Sequence, residues 1–300
     1  MKKSFMILAV LAMSALAMVS CKKDNENPID DGTFGGGATE YPGLCFTAEK
    51  DTSSVSMNNC NLDRNFEYLI PGEDWTTFTP GSTTITLLKK GDKVYFRGDN
   101  ANGLNDDNDN YYFVMTGEIA ASGNIMSLID TTCSATAIPN NYCFSNLFQS
   151  CKSLTSAPEL PATSLMQGCY AMMFYGCKKL SSAPELPATT LAPLCYEGMF
   201  IGCNSLCSAP ELPATTLEIG CYNYMFQNCI NLNRIKVHFT DWNIIDSDEF
   251  SIPSYTFVWF ANVPSGGTFY CPTALPKIYS SEIYLFHGCT IPNGWTVETF

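Results

Sequence analysis

The sequence predicts an α+β protein: an N-terminal small β-sandwich, then a solenoid of 26-residue units, each a short helix plus a short strand, closed by a β-rich C-terminal cap. Three observations predict it. Short aromatic and β-branched runs alternate with Pro-Gly and Gly-Asp turns from Tyr41 to about Asp130. From Cys143 to about Phe239 one segment recurs at a period of 26 without insertion, and a fixed period of that size marks stacked units. Within each unit the apolar positions follow a helical period until a pair of prolines interrupts them. The 300 residues are 46% apolar, which supplies a core and rules out wholesale disorder. A formal charge of -13 disfavours a phosphate backbone as partner, so no nucleic acid is expected. Only two histidines, His238 and His287, are present to serve any imidazole-dependent plan, which removes most hydrolase and multi-histidine metal designs.

Residues 1–20 begin with Lys2 and Lys3, continue through an apolar stretch from Phe5 to Val19 and end at Ser20. That is the layout of a secretory signal, too short to prefer spanning a bilayer. Ala17-Met18-Val19-Ser20-Cys21 resembles a bacterial lipobox, which implies that Cys21 is lipidated and becomes the first mature residue. Residues 21–40, with Asp24, Glu26, Asp30 and a glycine run, read as a flexible tether. The charged run after Cys21 resembles the signal that sends lipoproteins of the Bacteroidetes to the outer face of the outer membrane. The resemblance implies a cell-surface-exposed, lipid-anchored protein that meets the membrane only through its acyl chains.

Residues 41–130 form the predicted sandwich, with strand candidates at Phe66–Ile70, Thr83–Leu88, Lys93–Arg97 and Tyr111–Met115. Asp99 to Asn110 carries four Asp and five Asn, the oxygen inventory of a calcium loop, but its spacing departs from an EF-hand. A solvated hairpin loop is preferred there over calcium at Asp99, Asp106, Asp107 and Asp109, and no other cofactor is expected.

Residues 131–239 hold the repeat. In the unit from Cys169, the apolar residues Cys169, Tyr170, Met173, Phe174, Cys177 and Leu180 would fall within an arc of roughly 140° on a helix. Ser-Ala-Pro-Glu-Leu-Pro then stops the helix and leaves room for a very short strand. Helix plus strand in 20–29 residues is the leucine-rich-repeat unit. The run Met173-Phe174, Cys177, Leu180, repeated at Met199, Phe200, Cys203 and Leu206, resembles the BspA-type leucine-rich repeat. That resemblance implies display on a bacterial surface and binding of host or bacterial surface proteins, matrix or glycans, and it implies no enzymatic activity. Residues 240–300 are expected to cap the last apolar face.

Fifteen cysteines are present. In a helical unit, Cys169 and Cys177 would lie about 12 Å apart, beyond the roughly 7 Å Cα reach of a disulfide. Equivalent cysteines of packed helices would be about 8–10 Å apart, so buried thiols are expected, with diagonal pairs such as Cys151 with Cys169 left open. Cys45 with Cys60 and Cys271 with Cys289 are plausible local bridges, and Cys133 and Cys207 have no assigned partner. No metal site is expected in the repeat, which lacks CxxC.

Glu159, Glu185 and Glu211 recur at the period and should stack on one face, where three like charges would have reason to meet a cation or a basic partner. A solvated rim is the plainer alternative. Thr163, Thr189 and Thr215 recur beside them, each followed by a second hydroxyl residue, and are expected to satisfy turn backbone or to read a ligand. These six residues are the candidate ligand-binding set of an adhesion or interaction module. A structural surface component without a specific ligand is the alternative. A carboxylate glycoside hydrolase is a further one, which would need two acids in one cleft.

Overall fold

Residues Cys45–Ala48 (β1), Ser53–Met57 (β2), Glu67–Leu69 (β3), Thr76–Thr77 (β4), Thr84–Leu87 (β5), Lys93–Arg97 (β6), Phe113–Thr116 (β7) and Ile119–Ser122 (β8) build two antiparallel layers. The computed structural model describes residues 41–242, 255–256, 258–278 and 291–300. The predicted signal, Cys21, the tether, His287 and Cys289 lie outside the described residues. One sheet has the order β5-β2-β7; in the other, β4-β3-β6-β1-β8 lie in sequence of contact. Strands β2, β5 and β7 bury alternate residues, so each turns one side to the core and the other to solvent. The layers meet through Phe46 on β1 and Phe96 on β6, whose rings stand edge-on to Phe113 of β7 with centroids 4.9 and 5.3 Å away.

The layer that contains β1 does not stop at the sandwich. Its edge strand β8 pairs in parallel with Leu154–Ser156 (β9), the first strand of the repeat. Ser156 bridges in parallel to Ser182 of the next unit. Farther along, Ser208–Leu212 (β10), Arg234–Val237 (β11), Thr268–Cys271 (β12) and Thr296–Thr299 (β13) form a parallel sheet in sequence order. Strands from 240–300 thus extend the same parallel arrangement, and Trp242, Trp259, Phe260, Phe269 and Trp295 fill the interior behind them.

The predicted α+β class with a helix-plus-strand leucine-rich-repeat solenoid is overturned. Among the described residues there is no α-helix, only a 3-10 turn at Ile125–Leu128, and the structure is almost entirely β and turn. The segments read as amphipathic helices are chains of turns. In the unit from Cys169, the N–H groups of Ala171, Met173, Tyr175 and Cys177 donate to the carbonyls three residues back. The intervening N–H groups of Tyr170, Met172, Phe174 and Gly176 donate instead to Cys195, Glu197, Met199 and Ile201 of the next unit. Every backbone donor along the segment is therefore satisfied, half within the unit and half between units. An α-helix would instead direct them, beyond its first turn, to carbonyls four residues back in the same unit. Each such segment has a left-handed residue at every fourth position: Gly168, Met172 and Gly176, then Leu194, Gly198 and Gly202, then Gly220, Tyr224 and Asn228. A turn chain that repeats every four residues also directs positions 0, 1, 4, 5 and 8 to one side, so the apolar spacing fits it as well as it fits a helix.

The buried positions stack in columns. Phe113, Phe148, Phe174, Phe200, Phe226 and Phe260 lie ring over ring, with centroids 5.4–6.5 Å apart and planes within 15° of parallel. A second column runs Phe144, Tyr170, Tyr196 and Tyr222 at 5.8–6.0 Å. The first column begins in the sandwich and ends beyond the last regular unit, so one continuous core joins both parts.

Candidate binding groove on the repeat

Ala-Pro-Glu-Leu-Pro-Ala-Thr sets the outer surface of three units, at 157–163, 183–189 and 209–215. Proline fixes its own φ and pushes the residue before it into the extended region, so Ala157 to Pro161 has little choice but to run extended. Sides then alternate. Pro158, Leu160 and Ala162 are buried, as are Pro184, Leu186 and Ala188, and Pro210, Leu212 and Ala214. Glu159 and Thr163, Glu185 and Thr189, and Glu211 and Thr215 are exposed. All six residues singled out from the sequence therefore point outward.

They do not share one environment. Glu159 and Glu185 line a groove of about 420 Å³ together with Pro158, Pro161, Pro184 and Pro187. No ion pair engages either carboxylate among the described residues. Glu211 is different: Lys236 Nζ lies 2.8 Å from its Oε1 and His238 Nε2 2.5 Å from the same oxygen. Lys236, and after it His238, hold the Glu211 carboxyl below the usual carboxylate range. The expected row of three equivalent acids is thus two unneutralised acids beside a groove and a third closed by its own chain. The side chains of Thr163, Thr189 and Thr215 make no hydrogen bond among the described residues, so they do not satisfy turn backbone as expected.

Sequence reasoning missed Lys236 and His238. At a strict period of 26, Val237 would occupy the glutamate position. The strands pair Ser208 with Arg234 but Glu211 with Lys236 and Leu212 with Val237, a register shift of one residue. The shift brings Lys236 beside Glu211 and turns Val237 into the core.

Other expectations resolve locally. In the acidic loop, Asn105 is buried and its amide bonds the Tyr111 and Ser145 carbonyls and the Tyr111 N–H, while Asn100 ties Asn65 to Leu128. Asp106 accepts the N–H groups of Asn108 and Asp109 as a turn. The amides are structural, and among the described residues no three acids, histidines or cysteines come together as a metal site. Cys45, Cys60 and Cys271 are free thiols, so the two local bridges are corrected. Cys207 is disulfide-bonded.

The repeat cysteines are buried free thiols in two columns. Cys177, Cys203 and Cys229 each donate to a phenylalanine carbonyl one unit back, and Cys151 to that of Phe113 in the sandwich, at 3.0–3.2 Å. Burial raises the Cys143, Cys151, Cys169, Cys221 and Cys229 thiols to about 12. They are small core residues with a donor, and not nucleophiles.

Among the described residues no helix is long and apolar enough to cross a membrane. Comparison of the chain with family models, with curated proteins and with solved structures finds no match. The functional reading therefore stands on the residues and their geometry.

Proposed function

We propose that this chain is a non-enzymatic binding module, displayed on a bacterial cell surface through a lipid on Cys21, that engages a partner with the outward face of its repeat. The observation that carries the reading is the groove of about 420 Å³ in which Glu159 and Glu185 stand exposed on a backbone stiffened by Pro158, Pro161, Pro184 and Pro187. The proline-restricted backbone makes it a preformed surface, which loses little conformational entropy on binding. The lipobox-like Ala17 to Cys21 and the polar run after it support surface display. The likeness of the Met-Phe-x-x-Cys-x-x-Leu run to BspA-type repeats supports partner binding; the helical unit which that likeness implied is not part of the proposal.

A glycosidase is not favoured by this face. An acid catalyst needs burial to keep its proton at neutral pH, and both groove carboxylates are exposed. The test is capture of purified matrix and surface proteins by the immobilised chain, with Glu159→Gln/Glu185→Gln as comparison. Capture by the wild type is expected, and a wild type that captures nothing sinks the binding reading. Display is tested by Cys21→Ala, which should move the protein from the membrane to the soluble fraction; continued membrane attachment would refute lipidation at Cys21.

A further inference from the structure

We infer that the groove recognises a lysine or arginine side chain carried on an extended protein segment, in preference to a glycan. The inference rests on the binding-module reading above and names the partner's chemistry. Four of the residues lining the groove are prolines, which bring carbonyl oxygens and no N–H. The polar side chains that line it are the carboxylates of Glu159 and Glu185, which when ionised are acceptors only. A surface so rich in acceptors and poor in donors suits a ligand that is all donor. Lysine ammonium and arginine guanidinium have three and five donors respectively and no acceptor. Sugar hydroxyls are both donor and acceptor and would leave their lone pairs without partners here.

Charge points the same way. Glu159 and Glu185 hold equivalent positions in neighbouring units and line the same groove, so a cation seated there would meet two negative charges at once. The chain contains its own example of such a pairing. At the third position of the row, Glu211 on β10 is met by Lys236 from the parallel neighbour β11, at 2.8 Å. A lysine on an extended segment is thus already the partner of this glutamate wherever the chain supplies one. At Glu159 and Glu185 it supplies none among the described residues. The rings of Pro161 and Pro187, both partly or fully exposed, give the aliphatic stem of such a side chain an apolar surface to lie on.

The experiment uses the whole protein and ligand-observed saturation-transfer NMR with three capped pentapeptides, Thr-Ala-Lys-Ala-Thr, the same peptide with acetyl-lysine, and the same peptide with glutamine. The lysine peptide is expected to bind, the two neutral peptides roughly fivefold to thirtyfold more weakly, and Glu159→Gln/Glu185→Gln to abolish the difference. Glu211→Gln should leave it unchanged, because Lys236 and His238 already occupy that carboxylate. Equal binding of the lysine and acetyl-lysine peptides overturns the inference. So does a neutral oligosaccharide that binds the wild type and the double variant alike, which would assign the face to a glycan. Circular dichroism of the double variant confirms that it is folded, so a lost signal cannot be blamed on unfolding. If matrix proteins are captured equally by wild type and double variant, the binding module survives and the cation groove falls. If the wild type captures nothing, the broader reading falls first.

Discussion

Asp130 shows how one side chain can hold a junction. Its carboxylate accepts the N–H and hydroxyl of Thr132 at 2.9 and 2.7 Å, the N–H and hydroxyl of Ser134 at 3.0 Å, and the N–H of Ala135 at 2.9 Å. The Thr132 hydroxyl leads the bonds that bring its pKa down to about 2, against an ordinary 3.8. A folded-state pKa below the unfolded one contributes stability above about pH 4, and that contribution is lost as the pH falls from about 4 toward 2. Asp130→Asn should therefore cost about 1–2 kcal/mol at pH 7 in urea unfolding and much less at pH 2. A penalty that does not change between the two would rule out the ionised carboxylate as the cause. The buried thiols run in the opposite direction. Folded, the Cys151 thiol sits near 12 against an ordinary 9.0, so its protonated form favours the fold and stability should fall as the pH rises from about 9 to 12. Unfolding midpoints at pH 8 and pH 10.5 test this, and the decline should be shallower when Cys151 and Cys177 are both alanine.

At the scale of the element, the turn chain explains residues that made no sense in a helix. Gly176, Gly198 and Gly202 lie inside the predicted helical segments, and Gly168 and Gly220 immediately before them; inside a helix glycine costs about 1 kcal/mol relative to alanine. In turns these are the left-handed positions. Two of them also make room: a Cβ on Gly220 would lie 2.3 Å from Leu194 Cδ2, and one on Gly168 2.3 Å from the Tyr142 ring. Around Gly176 nothing comes nearer than 3.7 Å. Gly168→Ala should therefore destabilise by about 2–4 kcal/mol, combining backbone strain with overpacking against the Tyr142 ring, while Gly176→Ala should cost about 1–2 kcal/mol from strain alone. Equal losses in thermal unfolding would show that the column does not depend on that space. The aromatic column makes a heavier demand. Phe174 stacks between Phe148 and Phe200, and Phe174→Ala should cost about 3–5 kcal/mol, a loss readable by denaturant titration.

For the whole molecule, one core spans Leu44 to Trp295, and Phe113 of the sandwich is the first ring of the column that runs through the repeat. Lys50 of the sandwich and Lys179 of the repeat converge on Glu118, a surface echo of the same junction. The sandwich thus covers the end of the repeat that would otherwise expose Phe148. Calorimetry should show the sandwich and repeat unfolding together in a single transition, with calorimetric and van't Hoff enthalpies in agreement. Two separated peaks would mean that the shared column does not couple them.

Much of this architecture was legible in the chain. The period of 26 located the recurring aromatic, thiol and glutamate positions between Cys143 and Cys229, because stacked units place equivalent residues in register, but not the end rings Phe113 and Phe260, which lie off the period. The proline pairs located the extended outer face, because proline restricts both itself and its predecessor whatever surrounds it. What tertiary structure alone decided was where the backbone donors go and which charges meet. Apolar spacing is the same for a turn chain and a short helix, so the choice between them rested on hydrogen bonds to the next unit, such as Tyr170 N–H to the Cys195 carbonyl. The glutamate row likewise looked uniform at period 26, and only a one-residue bulge between strands could bring Lys236 onto Glu211 and leave Glu159 and Glu185 open. Local sequence specifies side and spacing; the pairing of polar groups across units is a property of the neighbour as much as of the residue.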